Sequence, residues 1–318
     1  MTFSKSIITA IVLSSFLIST AQEEEPEFKP YTAASTLKKL SKDYPFINPI
    51  DPVDPSLIRS KECKVYKKVD GTKLELDIYL PKSRDQDLRP AVLLIHGGGW
   101  LVGSRENQRA MAKNLASNGF VAITVSYRLG LETPYPAAVL DIKDAVKWTR
   151  KRANRYGVDP DKIAILGASA GAQLATLVGV TPDSELYLTD TSISDQVQAI
   201  VNIDGIVSFI HPEASAEGKM ASIWLDGSKE ENYSAWKEAS PLEHLSQDDP
   251  PILFINSAQP RFHAGRDDMI FFYKNNEIYS EQHTLPETPH SFWLVQPWFE
   301  TTLNYTTTFL NEVFDKKN

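Results

Sequence analysis

Residues 167–171, Gly-Ala-Ser-Ala-Gly, set Ser169 among four small neighbours, between an apolar run (163–166) and an apolar helical pattern (172–180). A serine on a sharp strand-to-helix turn needs small flanking residues, and such a turn presents its hydroxyl above the sheet. The helix N-terminus also aims the Ala170 N–H at any oxygen bound beside Ser169. A second glycine-rich stretch, His96-Gly-Gly-Gly-Trp100, follows the apolar run 91–95. Glycine weakens regular structure by roughly 0.5–1 kcal/mol relative to alanine, so a triplet there implies that bare peptide N–H groups are wanted. Acyl transfer through a serine creates an oxyanion, and preorganised donors for it are worth about 3–4 kcal/mol each. Gly98 and Gly99, together with Ala170, are the expected donors, with Trp100 as one wall of the pocket. The stretch has neither the Lys-Ser/Thr of a phosphate-binding loop nor a Gly-x-Gly-x-x-Gly register. His96, at the strand end, reads as structural.

A nucleophilic serine needs a base, and the base needs an orienting acid, in the chain order Ser, Asp/Glu, His. His290, in Pro-His-Ser-Phe-Trp, follows the last strand pattern and is the expected base. The acid is sought after the run 250–257, where Asp267 and Asp268 are adjacent. Asp267 is favoured, because Asp268 starts a helical pattern and suits a capping role. Asp204, ending the run Val-Asn-Ile-Asp, is the outside candidate. Glu287 is read as surface.

The elements that must hold these groups are legible from hydrophobic patterning. Residues 65–81 alternate around Asp70-Gly71, a strong hairpin signal. Continuous apolar runs at 91–96, 120–127, 161–167, 197–204 and 250–257 read as parallel strands covered on both faces, and 280–286 as a last short one. Helical spacing intervenes, most clearly over 137–157, which stops at Gly157. The alternation predicts an α/β fold with one mostly parallel sheet and helices on both faces. A polar and aromatic stretch over 206–249 reads as a small helical insert over the strand ends.

The 318 residues suit one large domain, and the net charge of −8 argues against nucleic-acid partners. Six histidines and one cysteine show no metal-ligand spacing, and no metal or cofactor is expected. Cys63 falls in an edge-strand pattern. Lys5, the apolar run 7–18 and Ser-Thr-Ala at 19–21 have the layout of a cleaved export signal. No other stretch is apolar and long enough to span a bilayer, so the mature chain is expected to be exported without membrane insertion. The expected organisation is a signal peptide (1–21), an acidic then proline-rich N-terminal extension (22–60) and a catalytic domain (61–318).

The stretches His-Gly-Gly-Gly-Trp, Val-Ser-Tyr-Arg-Leu (125–129), the run 135–175 around Gly-Ala-Ser-Ala-Gly, and 239–257 resemble the α/β-hydrolase esterases related to hormone-sensitive lipase and to bacterial feruloyl and acetyl-xylan esterases. The tail from Arg261 to Glu300 is similar to esterases that remove acyl or methyl groups from pectin and related glycans. The resemblance spans about 65–299. It implies an α/β-hydrolase fold, a triad of Ser169, Asp267 and His290, and Gly98, Gly99 and Ala170 as donors. The loop 257–268 is longer than the family's usual acid loop. Trp100, Trp224, Trp293 and Trp298 are candidate sugar-facing aromatics or core and lid packing, and Arg261 and Arg266 are candidate partners for a uronate carboxylate or braces of their own loop. Asp141 and Arg128 read as a structural pair beneath the site.

Together these features predict an exported serine carbohydrate esterase acting on a polysaccharide or oligosaccharide ester, foremost by deacetylating a plant polysaccharide such as pectin. The alternatives are a pectin methylesterase, a broad short-chain carboxylesterase and, from another class, a catalytically dead glycan-binding hydrolase fold. The oligomeric state is open.

Overall fold

The computed structural model describes residues 28–83, 88–187 and 192–315, apart from the side chains of 215–217. The segment read as a signal peptide lies outside the described residues. In chain order the elements are α1 (Ala33–Leu40), β1 (Ile58–Val69), β2 (Thr72–Pro81), β3 (Arg89–Ile95), α2 (Arg109–Ser117), β4 (Val121–Val125), α3 (Ala137–Lys151), α4 (Ala153–Tyr156), β5 (Val158–Ala168), α5 (Ala170–Val180), β6 (Ala199–Ile203), α6 (Gly218–Trp224), α7 (Tyr233–Glu238), β7 (Ile252–Asn256), α8 (Arg266–Asn275), β8 (Ser280–Thr284) and α9 (Trp298–Asp315). Short 3₁₀ turns fill several loops, including Pro260–Phe262 and Phe292–Leu294.

The described strands make one eight-stranded sheet in the order β1-β2-β4-β3-β5-β6-β7-β8. β1 and β2 form the expected hairpin, and β2 meets β4 antiparallel; every other pairing is parallel. Asp70 and Gly71 both have positive φ, the backbone a tight two-residue turn requires. Cys63 lies exposed on edge strand β1, at a register shift between Lys61 and Lys64. β1 starts at Ile58, three residues inside the segment read as extension.

Side-chain alternation sorts the core onto two faces. Leu93 and Ile95 of β3 join α3, α5 and α8 on one side, while Val92 and Leu94 join α2 and α9 on the other. Every residue of α5 is buried, which is why its sequence is small and apolar all round. The predicted helix over 137–157 forms as α3 and α4, and Gly157 at φ 67° closes it in the left-handed conformation. Arg128 grips Asp141 through Nε and Nη2 at 2.8 and 2.9 Å, the structural pair expected.

The insert is helical, containing α6 and α7. It presses an aromatic group onto the glycine loop: Trp224 stacks on Trp100 at 5.2 Å and 10°, and Phe209 packs against both. The N-terminal extension lies along the C-terminal segment. Asn48 and Gln296 exchange backbone hydrogen bonds of 3.2 and 2.9 Å, and Tyr44 and Phe46 pack edge-on against Trp298.

Candidate active site

The C-terminal ends of β3, β5, β6 and β7 bring the chemistry together. Ser169 occupies the turn between β5 and α5 with φ 56° and ψ −127°. The surrounding glycines follow from crowding. A side chain on Gly171 would sit 2.3 Å from the Ile95 carbonyl oxygen, so only glycine lets this helix approach β3. Backbone strain of this kind, on the order of 1–3 kcal/mol, persists where the surrounding structure enforces it.

His290 meets Ser169 Oγ through Nε2 at 2.8 Å. Its Nδ1 meets Asp204 Oδ2 at 2.7 Å. An ionised carboxylate only accepts, so Nδ1–H donates to Asp204 and Nε2 is left to accept from the serine hydroxyl. Asp204 is fully buried, at 0% exposure, and its other oxygen accepts from the Ser257 N–H at 2.8 Å. Its own N–H donates to the Ile255 carbonyl at 2.9 Å. The carboxylate is therefore clamped between the ends of two paired strands. Phe262 stacks on one face of the imidazole, with centroids 3.6 Å apart at 15°, and Trp293 meets the ring edge-on at 5.1 Å.

The carboxylate that meets His290 differs from the expectation. Asp267 does not reach His290; its side chain is 77% exposed and accepts from Arg266 Nε at 2.8 Å. That hydrogen bond holds its carboxyl below the ordinary carboxylate range. The reason lies in register. Parallel pairing sets Ile203 opposite Ile255, so Asp204 emerges level with the start of the following loop and faces His290 directly. The loop 257–265 then folds through the turn Pro260–Phe262 and delivers Phe262, not an acid, to the base. Asp268 lies in the first turn of α8 but makes no capping hydrogen bond; it faces His211 at 3.4 Å.

The remaining expectations divide. A pocket of about 20 Å³ at Ser169 is lined by Gly99, Trp100, Ala170, Asp204, Gly205, Ile206 and Phe262. Among the described residues the Gly99 and Ala170 N–H groups donate to no protein acceptor, as oxyanion donors require. Gly98 lies outside this lining and its carbonyl accepts from Leu101 and Val102, but its N–H, like those of Gly99 and Ala170, donates to no protein acceptor among the described residues. Trp100 is a wall of the pocket, only 3% exposed and anchored through Nε1 to Gln173 Oε1 at 2.8 Å. Trp293 is equally buried against the base and does not line the pocket. Arg266 is 7% exposed and bonds Asn256 Oδ1 at 2.9 Å, so it braces β7 and is not available to a uronate. Arg261 lies exposed above Phe262, its guanidinium 4.4 Å from the ring centroid. His96 is structural: it stacks on Tyr127, and burial drives its pKa down to about 4. Sequence reasoning did not single out Phe262; its one signal was an aromatic residue in the over-long loop. No group of acidic, histidine or cysteine side chains among the described residues could hold a metal ion.

An eight-stranded sheet of this order, with a serine elbow after β5 and a histidine after β8, defines an α/β-hydrolase fold. The BD-FAE family model matches residues 76–270, and the chain belongs to that family. It is 29% identical over 240 residues to the probable carboxylic ester hydrolase LipM of Mycobacterium tuberculosis, covering 71% of this chain and 54% of that protein. It is 26% identical over 191 residues to esterase LipC of the same organism, covering 58% and 47%. The chain thus spans about half the length of these relatives. Among solved structures, a thermophilic esterase of Thermogutta terrifontis superposes with a TM-score of 0.66 at 28% identity, covering 81% of this chain and 93% of that one.

Proposed function

We propose that the protein is a serine carboxylic ester hydrolase whose catalytic triad is Ser169, His290 and Asp204. The observation that carries this reading is the unbroken hydrogen-bond chain from Asp204 through His290 to Ser169, at 2.7 and 2.8 Å. Ser169 Oγ attacks the ester carbonyl while its proton passes to His290 Nε2. The new C–O bond makes a tetrahedral oxyanion, held by the Gly99 and Ala170 N–H groups at the positive end of α5. The bond to the leaving alkoxide then breaks, and His290 returns the proton to it as the alcohol departs. Water, deprotonated by His290, repeats the sequence on the acyl-enzyme and releases the carboxylic acid. Asp204 keeps the Nδ1–H tautomer and stabilises the imidazolium throughout. Ser, His, Asp and water complete the cycle, so the mechanism calls for no cofactor.

The finer reading is deacetylation of a plant polysaccharide such as pectin. The walls that Trp100, Ile206 and Phe262 put around Ser169 support a short acyl group. The similarity of the tail to pectin-directed esterases, and the signal-like residues 1–21, support an extracytoplasmic glycan ester as substrate. Ser169→Ala should leave the melting temperature nearly unchanged and lower turnover of 4-nitrophenyl acetate by about 10⁵–10⁶. Hydrolysis at the wild-type rate by that variant would overturn the assignment. On acetylated, methylated pectin the product expected is acetate; methanol instead would make it a methylesterase.

A further inference from the structure

His290 sits on a loop, and something other than its own strand must hold that loop level with Ser169. Phe262, Trp293 and Asp204 touch the ring, but the backbone beside it is awkward. Ser291 adopts φ 71°, a left-handed conformation that a side chain seldom takes and that needs outside support. Ser291 is buried, at 7% exposure, and its hydroxyl shares a hydrogen bond of 3.2 Å with the Tyr31 hydroxyl. Tyr31 belongs to the N-terminal extension, 260 positions away in the chain.

The other end of Tyr31 is also fixed. Its carbonyl accepts from Asn107 Nδ2 at 3.0 Å. Asn107 is buried in the turn Arg105–Gln108, whose Gln108 donates through Nε2 to the Ile95 carbonyl at 3.2 Å, one residue before the glycine loop. A single residue of the extension therefore ties the loop bearing the base to the element that supports the oxyanion donors. The following segment holds the connection in place. Leu40 and Ile47 pack on Val295, and Asn48 pairs with Gln296. The extension so follows residues 291–298 closely from Tyr31 to Asn48.

We propose that the N-terminal extension is a strap that sets the catalytic register of His290, and that Tyr31 is its positioning residue. The inference rests on the triad reading above. Tyr31 touches neither substrate nor reacting atoms; it acts through Ser291 and Asn107. Burial pushes its hydroxyl up to about 12, so it stays protonated and able to donate across the working range.

The test compares wild type with Tyr31→Phe and Ser291→Ala, singly and together, in the full chain. One readout is steady-state hydrolysis of 4-nitrophenyl acetate. The other, independent of turnover, is the low-field proton resonance of the His290–Asp204 hydrogen bond. Displacement of a reacting group by a fraction of an ångström can cost one to two powers of ten, so Tyr31→Phe should lower kcat by about tenfold with KM within about twofold. The low-field resonance should broaden or shift. Because both substitutions remove one contact, the double variant should be no worse than either alone. An unchanged kcat and an unchanged resonance, with or without a fall in melting temperature, would overturn the strap. A perturbed resonance in a protein that hydrolyses no ester would uphold it and sink the esterase reading instead.

Discussion

Asp204 and Asp267 stand after neighbouring parallel strands, yet they do different work. Asp204 follows β6 directly, has 0% exposure and is clamped by Ser257 and His290. Asp267 stands eleven residues beyond the end of β7, at the first turn of α8, with its carboxylate mostly in water. An orienting acid must be held in one geometry in a low-dielectric setting, because only there does one hydrogen bond decide an imidazole tautomer. A strand end inside a paired sheet supplies that rigidity; an exposed helix start does not. Which acid acts is thus set by rigidity and burial.

Asp204→Asn should give the largest loss among tests of this contrast, about 10⁴ in kcat, since the amide presents a donor to Nδ1 and selects the wrong tautomer. Near-normal turnover of 4-nitrophenyl acetate by that variant would break the comparison. Phe262→Ala probes the loop that lies where an acid was expected. Loss of the stack on His290 should cost about tenfold in kcat through misplacement of the ring, and the opened pocket should raise the butyrate-to-acetate rate ratio. A ratio that stays fixed would mean that Phe262 does not bound the acyl site.

Asp267→Asn should have the smallest effect, leaving kcat within about twofold because the side chain touches no reacting group. Its stability signature depends on pH. Arg266 lowers the folded carboxyl below its ordinary value of 3.8, so the unfolded state binds the proton more readily. The contribution is therefore fully present above that value and is lost as pH falls through the folded one. The side chain is mostly exposed, so the effect is small after solvent screening. Thermal melts of wild type and variant should differ by a small, constant amount from neutral pH down to about 3.8 and converge only as pH falls through the lower folded value; a gap that widens on acidification would contradict the Arg266 contact.

Much of this was readable in the chain because the signals were local. Strands β3 to β7 appear as apolar runs since both faces of a parallel sheet are covered. Ser169 and Gly99 declare themselves through neighbours that must be small. His290 follows from chain order. Asp267 is favoured by the expectation that the acid follows the run 250–257, whereas the carboxylate that meets His290 is placed by the register of β6 against β7, a long-range property. Arg266 reads from the sequence as a candidate uronate partner; its burial against Asn256 is a tertiary fact. The strap was hidden for the same reason, since nothing in Tyr31 itself announces a partner 260 positions away.

Placing Asp204 directly after β6 has a consequence for how this scaffold can diverge. The loop 257–265 begins at Ser257, whose N–H already satisfies Asp204, and reaches the base only through Phe262. Insertions or replacements beyond Ser257 can remodel the mouth of the pocket while the proton-transfer residues keep their coordinates. Reactivity and selectivity are then nearly separable modules. Loop grafts between relatives that carry the acid on this strand should exchange ester preference with the triad intact, whereas the same graft into a scaffold that keeps its acid in the loop would remove the triad acid along with the old specificity.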